Sequence, residues 1–141
     1  MSGQEGLGRL FNLVPTADAV EINLANCAGV TFICVGADNY TLEECTDAAG
    51  GGAADLLAWD RWYTNSGALG ATTWVLATDD TPPYTALKAV AANAAIYVPA
   101  TRLSDGFTYV RCSSAAGGLV IAIAHDLHVQ RDPANLPALG V

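Results

Sequence analysis

The chain has two histidines, His125 and His128, set three residues apart in LVIAIAHDLHVQR, residues 119–131. Acid–base or metal chemistry has to be sought there first. A separation of three brings two side chains together on a helix but sends them to opposite faces of a strand. The segment reads as a long strand. Leu119, Ile121, Ile123, Leu127 and Val129 fall on one face at period two, with Val120, Ala122, Ala124, Asp126, His128 and Gln130 on the other. The two rings therefore point apart. Asp126 shares a face with His128, but a metal site takes three or more protein ligands, and no third histidine exists. His125, on the aliphatic face, reads as a core histidine with hydrogen-bonded ring nitrogens.

No other grouping builds a catalytic set. Glu43 and Glu44 are adjacent on a strand and diverge, which is wrong for joint acid–base work. Asp79 and Asp80 lack the further oxygen ligands that calcium needs and read as a solvated turn. Cys27, Cys34, Cys45 and Cys112 form no CxxC pair and no zinc-finger spacing; they read as small buried thiols, with a Cys27–Cys34 disulfide as the alternative. There is no GxSxG, and the glycine clusters at 50–52 and 117–118 match neither GxGxxG nor a GK[ST] phosphate loop. The expectation is a protein that is not an enzyme and needs no cofactor or metal. Trp59, Trp62 and Trp74 offer a second class of function, sugar stacking in a glycan-binding module, set against their plainer use as core bulk.

The elements that would position these residues are strands. Residues 20–24, 30–35 and 40–45 alternate or run apolar at hairpin-like spacing, predicting an antiparallel meander. Residues 53–65 fit a strand with Leu57, Trp59, Arg61 and Tyr63 on one face, or a helix aligning Leu56, Trp59 and Tyr63; the strand is favoured. Residues 72–78 and 95–98 are strands ended by prolines, and residues 84–93 form a short helix or a polar-edged strand. Residues 107–113 alternate cleanly, and 115–118, Ala-Ala-Gly-Gly, predict a hairpin into the strand at 119. The fold class is all-β, an antiparallel β-sandwich over residues 19–131, with an N-terminal arm at 1–18 and an extended tail at 132–141. Leu10, Phe11, Leu13 and Val14 on the arm, and Leu136 and Leu139 on the tail, are the candidate partner-binding residues.

Composition narrows the partners. The formal net charge is −8, and the six cationic residues are scattered singly, which argues against nucleic acid and against an anionic membrane. Hydrophobic residues make up 52%, enough to build a core without disulfides or metal. No segment approaches the roughly 20 apolar residues of a membrane span, and the N-terminus lacks signal-peptide regions. Synthesis in the cytoplasm and a protein or neutral-glycan partner are expected.

Three stretches, VTFICVGADNYTLEECTDAAG, AWDRWYTNSG and LSDGFTYVRCSSAAGGLVIAIAHDLHVQRDPANLP, resemble small minor capsid or head decoration proteins of tailed actinobacterial phages. The resemblance spans the chain from about residue 30 onward. It implies a sandwich or jelly-roll-like domain on the outside of an icosahedral shell, made in the host bacterial cytoplasm. The implied partners are the major capsid protein and other copies of the chain, a trimer being favoured. It carries over no catalytic or metal residues. A tail-tube or other virion structural role is the neighbouring alternative.

Overall fold

The computed structural model describes residues 13–57, 59–67, 73–79 and 85–128. These residues form two antiparallel sheets packed as a sandwich. The first sheet runs, edge to edge, β1 (Leu13–Val14), β11 (Leu119–His125), β3 (Gly29–Val35), β9 (Asn93–Pro99), β6 (Arg61–Asn65) and β7 (Val75–Thr78). The second runs β2 (Ile22–Asn23), β10 (Tyr109–Ser114), β4 (Asp38–Cys45) and β5 (Ala54–Asp55), with β8 (Leu87–Val90) beside the first half of β4.

Alternation places the core. Val30, Phe32 and Cys34 of β3, Ala94, Ile96 and Val98 of β9, and Val120, Ala122 and Ala124 of β11 face inward from the first sheet. Ile22, Tyr40, Leu42, Val110 and Cys112 meet them from the second. Each large aliphatic or aromatic side chain buried here contributes roughly 1.5–3 kcal/mol of hydrophobic free energy. Ala17 is also fully buried, and Val14 packs against the core, so residues 13–18 are built into the sandwich.

The meander and the final hairpin are not formed. β2 and β4 lie in the second sheet and β3 between them lies in the first, while β10 and β11 pair with different neighbours in different sheets. The chain changes sheets at 36–37 and at 115–118. One carboxylate holds both corners: Asp38 accepts hydrogen bonds from Ser114 Oγ (2.5 Å) and from the backbone N–H groups of Ala116 (3.0 Å) and Gly118 (3.1 Å). Those donors are thereby taken from any hairpin turn. The same bonds, with Ser114 foremost, hold the Asp38 carboxyl well below the usual carboxylate range. At the first corner Gly36 has φ +108°, and Tyr40 Oη donates to the Gly36 and Val35 carbonyls at 2.9 and 3.2 Å. Burial pushes the Tyr40 phenol up to about 12.

Other expectations shift. Residues 53–65 are neither one strand nor a helix: β5 and β6 are separated by a turn at 59–60, and Trp59 drops wholly into the core. Residues 73–74 precede rather than join β7, and the ambiguous stretch before residue 93 holds β8. The strand that begins at Leu119 stops at His125, because Asp126 adopts φ +51°. Residues 129–131, the tail, and Leu10, Phe11, Leu136 and Leu139 lie outside the described residues.

Candidate functional site

The histidine region is structural in its contacts. His125 is half-buried on the outer side of the first sheet, which corrects its placement in the core, although its ring is hydrogen-bonded: Nε2 lies 2.7 Å from Thr31 Oγ1. Its ring also meets the Tyr97 ring edge-on, with centroids 5.7 Å apart. His128 and Asp126 are exposed. Among the described residues no three His, Cys, Asp or Glu side chains cluster as a metal site.

The other candidates separate in the same way. Glu43 points out and pairs with Arg111 Nε at 2.7 Å, while Glu44 is buried and accepts from the Ser104 backbone N–H at 2.8 Å. Arg111 also holds Glu21 at 2.9 Å, and these partners raise its pKa further. Asp79 pairs with Lys88, whose ammonium lies 5.2 Å from the centre of the Trp62 ring. Trp62 in turn packs edge-on against Trp59 at 5.8 Å. The three tryptophans occupy different environments: Trp59 is wholly core, Trp62 packs against the core and borders a surface cleft, and Trp74 is partly exposed. All four cysteines are free and buried. Cys34 Sγ and Cys112 Sγ meet across the two sheets at 3.8 Å; that contact, then burial, pushes the Cys112 thiol well up, and burial does the same for Cys27 and Cys45. Such thiols are poor nucleophiles at neutral pH.

What the fold does assemble is an apolar row on the outer face of the six-stranded sheet. On β11 the small side chains turn inward and the bulky ones outward, reversing the assignment of the aliphatic face to the core. Register continues the row from strand to strand: Ile121 opposite Ile33, Ile33 opposite Ala95, Ala95 opposite Tyr63, and Tyr63 opposite Leu76. At the strand spacing of about 4.8 Å, these five positions span roughly 19 Å. A second row, Leu13, Ile123, Thr31 and Tyr97, lies beside it. Leu119 is 63% exposed, Tyr63 50%, Tyr97 47% and Leu76 42%, so this is surface with no covering layer among the described residues. Of the candidate partner-binding residues, Leu13 belongs to this face and Val14 to the core side.

The row ends in a cleft of about 440 Å³ bordered by Thr31, Arg61, Tyr63, Leu76, Tyr97 and Arg102. Gly29 makes room for one wall: a Cβ there would meet Tyr97 Oη and the Val98 carbonyl at 2.6 Å. Asp60, also at the cleft, accepts from Arg102 at 2.6 Å. Arg61 is exposed and has no carboxylate partner among the described residues. Sequence reasoning placed Arg61 and Tyr63 on one strand face but missed Tyr97, which only the β3–β9–β6 register brings alongside.

Compared with known proteins, the chain matches no family model, no curated protein and no solved structure.

Proposed function

We propose that this chain is a non-catalytic structural protein of a virion, a minor capsid or decoration protein that binds the outside of the major capsid shell and stabilises it. The observation that carries the reading is the outward apolar row from Ile121 to Leu76. A contiguous apolar surface rimmed by polar groups is costly to leave in water, and in soluble domains it marks a protein contact. The hydrogen-bonded sheet that presents it suits a subunit that docks as a rigid body, since little conformational entropy is lost on binding. The acidic balance and single scattered cations fit a protein partner better than nucleic acid. The sequence resemblance supplies the shell as that partner, and with it the jelly-roll-like elaboration of the sandwich and a trimeric arrangement on the shell surface. Many weak copies repeated on a lattice bind tightly as a set.

The test is direct. Shells purified without the protein are incubated with it, sedimented and heated. Co-sedimentation and a higher disruption temperature are expected; a protein that stays in the supernatant and leaves the disruption temperature unchanged overturns the reading.

A further inference from the structure

Resting on that reading, we infer that the cleft at the end of the apolar row is the register point of the docking face and takes an aspartate or glutamate side chain of the partner, set beside an aliphatic one. Charge argues for this. Of the cationic side chains among the described residues, Lys88 holds Asp79, Arg102 holds Asp60, and Arg111 holds Glu21 and Glu43. Arg61 holds no carboxylate among the described residues. At the cleft Arg61, Arg102 and Asp60 leave one net positive charge on a protein whose total is −8.

The shape and residue types agree. Arg61 and Tyr63 are alternate residues of β6 and share its outer face; Tyr97 and Ala95 stand on the neighbouring strand, and Thr78 and Leu76 on the other side. A carboxylate entering between the tyrosines meets the planar fork of Arg61, which accommodates it with two parallel N–H···O bonds. Arg102 gives one of its N–H groups to Asp60 and keeps others to offer. The next partner residue then lies over Tyr63 and Leu76, where an aliphatic side chain buries apolar surface. Arginine and tyrosine are the side chains on which binding energy concentrates at protein interfaces. An isolated positive site in an acidic surface also fixes orientation, because any slip sets partner carboxylates against this chain's own.

The experiment uses shells lacking the protein and measures the affinity of wild type, Arg61→Glu, Arg61→Gln and Ile121→Thr at 0.05 and 0.5 M NaCl. Arg61→Glu should weaken binding by about 30-fold or more, the loss that follows when a desolvated carboxylate loses its partner. Wild-type affinity should fall with salt, and Arg61→Gln should flatten that dependence. Arg61 is exposed, so unfolding midpoints of both variants should match wild type. If wild type binds, Ile121→Thr weakens it, and both Arg61 variants bind like wild type at both salt concentrations, this inference is wrong while the docking face stands. If wild type does not bind shells at all, the proposed function itself falls.

Discussion

The facing of β11 is best tested by a reciprocal pair of substitutions one residue apart. Ala122 is fully buried, opposite Phe32 on one side and Val14 on the other. Ala122→Leu forces three more carbons into space already filled by Phe32, itself fully buried. Overpacking of this kind costs about 1–3 kcal/mol. For a chain of this size each kcal/mol lowers the melting temperature by about 3–4 °C, so a drop of roughly 3–12 °C is expected. Ile121 is the neighbouring residue on the outer face. Ile121→Thr keeps β-branching and strand preference, replaces the two-carbon ethyl arm with a hydroxyl at a half-exposed position, and should cost about 1 kcal/mol or less. Urea and thermal unfolding followed by tryptophan fluorescence read both, because buried Trp59 reports the native core. A neutral Ala122→Leu with a strongly destabilised Ile121→Thr would mean the strand faces the other way, and the outward apolar row would not exist.

Gly118→Ala should destabilise by about 1–3 kcal/mol, since the new Cβ would sit 2.1 Å from Tyr40 Oη; Tyr40→Phe in the same chain should recover part of that, which a double-mutant cycle in urea measures. Because the folded Asp38 carboxyl is held below its unfolded value of about 3.9, its stabilisation is present above that pH and is lost as the pH falls below it. Asp38→Asn should therefore lower the urea midpoint at pH 7 and leave a shallower loss on acidification than wild type shows; equal acid profiles would count against the corner clamp. In the native protein none of the four buried cysteines should react readily with a thiol reagent, and all four should react in urea, as a count of modified thiols by mass spectrometry would show.

Period two in the sequence reveals most of the strands themselves, because alternation is a local property. Residues 30–35, 95–98 and 119–124 all fall within strands of the fold. Partnership is not local. The turn residues at 36–37 and 115–118 fit a hairpin as well as a corner between sheets, and the choice is made by Asp38, which reaches donors 78 and 80 residues away. The direction of β11 was hidden because residues 119–124 are apolar on both faces; what decides it is that only small side chains fit against Phe32. Trp59 fitted the strand face of Arg61 and Tyr63 by parity, yet the turn at 59–60 breaks the parity and sends it inward. The cleft was half legible for the same reason. Arg61 and Tyr63 follow from one strand, whereas Tyr97 joins them through a register that no local pattern contains.

The strand order β1–β11–β3 has a consequence for timing. During synthesis β3 emerges early, but the partner that lies between it and β1 is the last strand of the described fold, so both remain open on that side until β11 is made. Closing such distant pairs is slow, and the exposed edges are prone to pair with other chains meanwhile. Ile121, the first position of the outward row, arrives on that same strand. A nascent chain therefore cannot present its complete outward apolar row before the strand that seals its interior has been made.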